Sequence, residues 1–229
     1  MNAAQNEVHI DQLIRSKRRT ISLEINLDGS LTVRAPMRAP IDEIYALVNS
    51  KKKWIVKKQK LVSEKVREAP SKQYVNGEQF LFLGVNYPLE IIDKQSDALI
   101  LNGNFRLTAG LQGNARQVFE KWYRAQAAQV IKPRTATLAE IHEFKFSIIR
   151  INGAKTRWGS CGPKGSLNFP WRLVMAPLDV IDYVIVHELV HLRVRNHSPR
   201  YWEAVQRIMP DYKERLNWLH ENGHRLSLD

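Results

Sequence analysis

A single cysteine, Cys161, stands among 229 residues. No internal disulfide is possible, so the fold must be held by packing, and the chain suits a reducing compartment. Long apolar runs are also missing. The longest, Val180 to Leu192, is broken by Asp182, His187, Glu188 and His191 and is too short and polar to span a bilayer. The opening MNAAQNEVHIDQL lacks the apolar core of a signal peptide, so a cytoplasmic location without membrane contact is expected. There is no GxxxxGK(S/T) phosphate loop and no carboxylate cluster suited to magnesium. Acidic residues are scarce beside basic ones, 23 against 35, which gives a formal charge of +12. That excess could attract nucleic acid, acidic peptides or nucleotides, although general solubility is the simpler reading.

What remains is the composition of a folded protein: 44% hydrophobic and 25% charged, long enough for one large domain or two small ones. Residues 1–18 are polar, with a basic cluster from Arg15 to Arg19. Alternation at Ile21, Leu23, Ile25 and Leu27, a turn at Asp28-Gly29, and resumption at Leu31 and Val33 predict a β-hairpin. Helical spacing of Ile44, Leu47, Val48, Trp54, Ile55 and Leu61 predicts one helix over 41–65. Its other face carries Lys51, Lys52, Lys53, Lys57, Lys58 and Lys60, a stripe that reads first as a solvated face and second as a phosphate-binding one. Short strands are expected at 80–83, 87–92, 99–101 and 105–107. A helix is expected from Ala115 to Ile131, resuming after Pro133 to Ile141. Strands follow at 146–151, 155–161 and 166–169. The order of elements makes this an α+β chain.

Chemistry concentrates near residue 187. Ala176-Pro177-Leu178-Asp179 reads as a helix start, and the helix that follows is apolar nearly all round, so it is expected to be buried. His187 and His191, four residues apart, differ by about 40° on a helix and share a face. Glu188 projects beside them, where it can reach a metal-bound water without being a ligand. The HExxH pattern alone arises by chance roughly once in 80 such chains; requiring His197 as well lowers this to about 1 in 2,500. Six residues past His191, His197 can return as a third ligand, fixed by Ser198-Pro199 as N-cap and first position of the next helix. Three neutral imidazoles with an open fourth position form a catalytic zinc set, so one zinc ion is expected. A second match, His220-Glu221-Asn222-Gly223-His224, contains Asn-Gly, which ends the helix and swings His224 off the face. It is expected not to bind metal.

His-Glu-Leu-Val-His-Leu, then Asn196-His197-Ser198, with Arg157-Trp158-Gly159-Ser160-Cys161 upstream, resembles the YgjP-like metallopeptidase family, zincins related to the SprT-like group. The resemblance spans roughly residues 18–226 and includes Trp171-Arg172-Leu173 and Ala176-Pro177. It implies that His187, His191 and His197 are zinc ligands and Glu188 the general base. It also implies a zincin-like catalytic part, with the HExxH helix beside a small β-sheet, following a β-rich and helical N-terminal part. The expected division is a polar tail at 1–17, a β-rich subdomain with one basic helix at 18–110, and a metallohydrolase subdomain at 111–229. Ligand spacing equals that of metzincins, but Val194 stands where they have glycine; Pro170 stands where many YgjP-like members have asparagine.

The Trp158-Gly159-Ser160-Cys161 segment reads as an edge strand able to bind an extended peptide, with Arg157, Ser160 and Arg172 as candidate substrate contacts. Structurally, Trp158 reads as core, Gly159 as close packing, and Cys161 as a small buried thiol. Arg157, Arg172, Tyr201 and Tyr212 are candidates to assist an oxyanion. The leading reading is a zinc-dependent peptidase acting on peptide or protein. Members of the resembling family assigned to nucleotide pyrophosphate cleavage make a nucleoside triphosphate pyrophosphohydrolase the alternative. A nucleic-acid-associated zinc module, resting on the lysine helix, comes third.

Overall fold

The computed structural model describes residues 8–26, 29–67 and 72–229, with the side chains of 63–67 excepted. Residues 1–7 of the expected tail, and Asp28 of the expected turn, lie outside the described residues. The chain divides into two units, 1–70 and 71–229.

In the first unit, β1 (Gln12–Ser16), β2 (Ser22–Ile25) and β3 (Leu31–Pro36) form a sheet in the order β1-β3-β2. The antiparallel pairing of β2 with β3 is the expected hairpin. β1, however, falls within the stretch expected as a tail. It runs parallel to β3, pairing Gln12 with Thr32 and Ser16 with Pro36, and Arg15 Nη1 donates to Ala39 O at 2.7 Å. Val8 and Ile10 pack on the same small core, so a segment polar on average still supplies a strand. The single helix expected at 41–65 is two helices, α1 (Ile41–Ser50) and α2 (Lys52–Arg67). Asn49 and Ser50 are weak helix formers, and Ser50 Oγ caps back onto Leu47 O at 2.8 Å. Ile44, Val48 and Ile55 are fully buried, but Trp54 and Leu61, expected on the same apolar face, are exposed.

The second unit holds strands β4 (Gln79–Phe82), β5 (Val85–Ile92), β6 (Leu99–Asn102) and β7 (Asn104–Thr108), in the order β4-β5-β7-β6. These strands were expected with the N-terminal part. They lie instead with the C-terminal unit, because their apolar face is buried on α3 (Ala115–Ile141): Phe119 stacks on Phe80 at 4.3 Å and lies 5.2 Å from Phe105. The buried residues of α3 recur every four positions from Ala115 to Ala139. A four-residue repeat drifts about 40° per step on a helix of 3.6 residues per turn, so the buried stripe winds round α3 and meets different partners along its length. Pro133 is accommodated inside the helix without ending it.

The third sheet contains β8 (Ile148–Asn152), β9 (Ser160–Cys161) and β10 (Ser166–Pro170). β10 lies centrally, parallel to β8 and antiparallel to β9. Of the strand expected at 155–161 only β9 forms. Helix α4 (Leu178–Val190) is buried as expected and packs against α3, β9, α5 (Pro199–Ile208) and α6 (Tyr212–Asn222). Two features fix it. Arg134 of α3 grips Asp182 through Nε to Oδ1 at 2.6 Å and Nη2 to Oδ2 at 2.5 Å, a bidentate pair. At its entry, Leu83 N and Gly84 N donate to Val174 O and Met175 O. Leu83 and Gly84 both have positive φ (50° and 82°) in the two-residue turn joining β4 to β5, as a type I′ hairpin requires. A Cβ on Gly84 would meet Pro177 Cγ at 2.7 Å, so the turn can seat against the start of α4 only with glycine there.

Among the described residues, no helix is long and apolar enough to cross a membrane.

Candidate metal centre

His187 and Glu188 occupy the last turn of α4, and His191 sits at its C-cap with φ −62° and ψ −18°. The chain then tightens: Leu192 N donates to Leu189 O, and Arg193 N and Val194 N to Val190 O. The following loop carries His197 back to the helix. His197 Nε2 lies 3.1 Å from His187 Nε2 and 3.2 Å from His191 Nε2, and one ligand atom from each ring lies within 4.8 Å of the others. Imidazoles on a tetrahedral ion at about 2.0–2.1 Å place their nitrogens about 3.3 Å apart, so the spacing fits a metal. Among the described residues this is the one such group of three or more. His220 and His224 are not part of it, and α6 ends at Asn222 as the Asn-Gly pair implied.

Burial decides the protonation of these groups. It draws His187 down to about 3, with His191 and His197 adding to the shift, and it lowers His191 and His197 as well. All three rings are therefore neutral at pH 7 and ready to donate lone pairs. His191 Nδ1 lies 3.0 Å from Val194 O. A proton held on Nδ1 by that carbonyl leaves Nε2 as the free lone pair. Glu188 is 4% exposed, its Oε2 has no hydrogen-bond partner among the described residues, and burial pushes its carboxyl up to about 8 against the opposing charge of Arg157. A nearby cation relieves that cost. The donor set and the orphaned carboxylate thus both fit a bound metal ion.

Arrangements around the histidines explain their precision. Tyr201, fully buried, donates its hydroxyl to His187 O at 2.9 Å and stacks on His191 with ring centroids 4.5 Å apart. Trp202 stacks on His197 at 5.6 Å and on Tyr212 at 5.4 Å. Tyr201 is therefore committed to holding α4, so this oxyanion candidate does not present a free hydroxyl; the Tyr212 ring is stacked between Trp202 and Tyr183. Ser198 stands at the N-cap of α5, but its side chain makes no capping bond. Its carbonyl instead receives Tyr201 N and Trp202 N. Two arginines brace the ligand loop. Arg193 Nη2 donates to His142 O and Glu143 O beyond α3, and Arg195 donates to Gly162 O at 3.0 Å and Pro163 O at 3.1 Å in the β9–β10 turn. Sequence reasoning missed both, since surface arginines carry no periodic signal. Arg195→Ala is expected to weaken metal binding roughly tenfold by loosening His197; competition with a chelator of known affinity measures it.

The WGSC segment divides. Gly159 lies against Glu188: a Cβ there would meet the carboxylate Oε1 at 2.4 Å and Cδ at 2.8 Å. Gly159→Ala is therefore expected to displace the carboxylate and cut activity about 100-fold with metal retained, measured as turnover per bound metal. Arg157 is exposed and close enough to bear on Glu188 electrostatically. Ser160 receives Asn168 Nδ2 of β10 on both its carbonyl and its hydroxyl, each at 3.3 Å. Trp158 is half-buried against the main core. Cys161 is half-buried rather than buried, and burial raises its thiol although Arg195 opposes the shift, so it remains a protonated structural residue. Arg172 is buried, its guanidinium over the Trp158 ring, and lines a cavity that includes none of the three histidines or Glu188.

A family model described as "YgjP-like, metallopeptidase domain" matches residues 19–222. None of the curated proteins compared matches significantly. Two solved structures are similar in part. The metallopeptidase zymogen abylysin of Pyrococcus abyssi is 18% identical, over 40% of this chain and 93% of that one, with a TM-score of 0.36. The metallopeptidase zymogen jannalysin of Methanocaldococcus jannaschii is 19% identical, over 40% and 95%, with a TM-score of 0.37.

Proposed function

The chain belongs to the YgjP-like metallopeptidase family, and we propose that it hydrolyses peptide bonds with one zinc ion held by His187, His191 and His197 and with Glu188 as general base. Membership implies a metal and peptide or protein substrates. The observation that carries the finer reading is a buried carboxylate with no hydrogen-bond partner on Oε2 among the described residues, next in α4 to a histidine whose Nε2 converges with two others. When bound, zinc supplies Lewis acidity, which polarises a carbonyl and makes water acidic enough to attack near neutral pH.

The chain's own residues supply the rest. A cation beside Glu188 favours its charged form and reverses the effect of burial. The carboxylate then accepts a proton from the attacking water and returns it to the leaving amine. Gly159 keeps the space beside that carboxylate clear. The aromatic wall of Tyr201 and Trp202 holds two of the imidazoles by stacking, so the ligands are oriented before substrate arrives. Among the described residues β9 is the edge of its sheet, paired only with β10, which supports an extended peptide adding alongside it. Exposed Arg157 is the side chain suited to meet that peptide; Ser160 is tied to Asn168.

The test is a substrate panel. Zinc-loaded protein is expected to cleave denatured proteins and to leave nucleoside triphosphates intact. Pyrophosphate or phosphate release without peptide cleavage would transfer the same centre to the pyrophosphohydrolase reading.

A further inference from the structure

A groove of about 370 Å³ opens on the first unit, lined by Ile21, Leu23, Leu47, Lys51 and Trp54. Ile21 and Leu23 lie two residues apart at and just before β2, so they share one face of the strand. Leu47 and Lys51 come from α1 and its C-cap, and Trp54 from the first turn of α2. Trp54 is 42% exposed, so an indole stands in water beside an apolar floor. Scattered apolar side chains at a surface are ordinary, but a contiguous set rimmed by charge marks a contact surface.

Two further features say what fits there. Among the described residues, β2 is an edge strand paired with β3 alone. Edges are usually guarded by lysine, proline or a bulge. β2, Ser-Leu-Glu-Ile, has no lysine or proline, and its one charge, Glu24, is paired with Arg34 at 3.1 Å. An open edge offers backbone N–H and C=O groups, which an extended peptide matches and a phosphodiester chain does not. The rim also carries one sign of charge. Between Glu43 and Glu64 the sequence has six lysines, from Lys51 to Lys60, and no acid. Lys57 and Lys58, both exposed, follow Trp54 by three and four residues and so neighbour it on the surface of α2. We propose that this groove docks an extended protein segment with a short apolar core and acidic flanks. The backbone of the segment adds to β2, its apolar side chains enter beside Trp54, and its carboxylates meet the lysines. The groove shares no residue with the metal centre, so the docking does not depend on the peptidase reading.

The probe is a fluorescein-labelled decapeptide of three glutamates, four valines and three glutamates. It is titrated by anisotropy into zinc-loaded full-length protein carrying Glu188→Gln to suppress cleavage. Expected are saturable binding that weakens with salt and the same affinity after zinc is removed by chelator. Trp54→Ala should bind at least tenfold more weakly, and Lys51→Glu several-fold more weakly. Lys94→Glu, an equal change of charge at an exposed position of the second unit, should bind as before. A probe methylated on its four valine nitrogens, or carrying lysine in place of glutamate, should lose at least tenfold. All three protein substitutions lie on exposed side chains, and an unchanged circular dichroism spectrum checks the fold. Tighter binding of a ten-residue oligothymidylate that depends on Trp54 would make this a nucleic-acid surface. Concentration-dependent sedimentation that Trp54→Ala abolishes would make it a contact between copies. Either result overturns the proposal, as do absence of saturable binding, loss on zinc removal, wild-type affinity in Trp54→Ala, or indifference to the methylated backbone.

Discussion

Glu188→Gln is expected to lower peptide turnover by a factor on the order of 10³ while leaving metal content unchanged, because it removes a proton acceptor and no ligand. Metal analysis beside single-turnover kinetics checks both halves; an active Glu188→Gln protein would exclude this residue as the base. The same substitution has a second, opposite effect on stability in the metal-free protein. Burial pushes the Glu188 carboxyl up to about 8, above the ordinary value near 4.3. A group whose folded pKa is raised contributes its stability fully below the unfolded pKa and loses it as pH rises through the folded one. Metal-free wild type should therefore weaken between about pH 4 and pH 8 by an amount on the order of a few kcal/mol, which Glu188→Gln avoids. The measurement is the difference in Tm between the two proteins in chelator at pH 5 and at pH 8.5. A difference that does not change with pH would mean that no ionisation of this carboxyl opposes folding.

His197→Ala is the second large effect. It should weaken metal binding more than about 100-fold, since losing a ligand exceeds the loss typical of outer partners, yet leave the circular dichroism spectrum intact. The reason is position: His197 is exposed on a loop, whereas His187 and His191 border the packed interior of α4. Metal per chain after dialysis is the readout, with His220→Ala as control. The control should keep its metal, because His220 belongs to the sequence pattern and not to the convergent group. Stoichiometric metal in His197→Ala would remove the three-histidine centre.

Much of the site was legible in the sequence because helical periodicity is a short-range property. A four-residue spacing puts two imidazoles on one face whatever surrounds the helix, and an all-round apolar segment predicts its own burial. The Asn-Gly pair likewise marked where α6 ends, inside the second HExxH pattern. Other expectations rested on averages and failed where an average hides a particular contact. The polar opening stretch contributes β1 because two side chains, Val8 and Ile10, suffice to dock it. The strands at 79–108 form close to the stretches read, but which unit they join was settled by three phenylalanines, Phe80, Phe105 and Phe119, far apart in sequence. Arg172, read as a possible substrate contact, lines a cavity separate from the metal centre.

The sequence by itself determined which residues could share an ion, since the turn of one helix and a six-residue return are local geometry. Only the tertiary structure decided what those residues experience. Burial of Glu188 against Gly159, the hydroxyl of Tyr201 on the backbone of His187, and the arginines that tie the ligand loop to the β9–β10 turn and the end of α3 all join segments 14 to 51 residues apart. Contacts of that separation carry no periodic trace along the chain, and they set the dielectric and the rigidity on which both metal affinity and proton transfer depend.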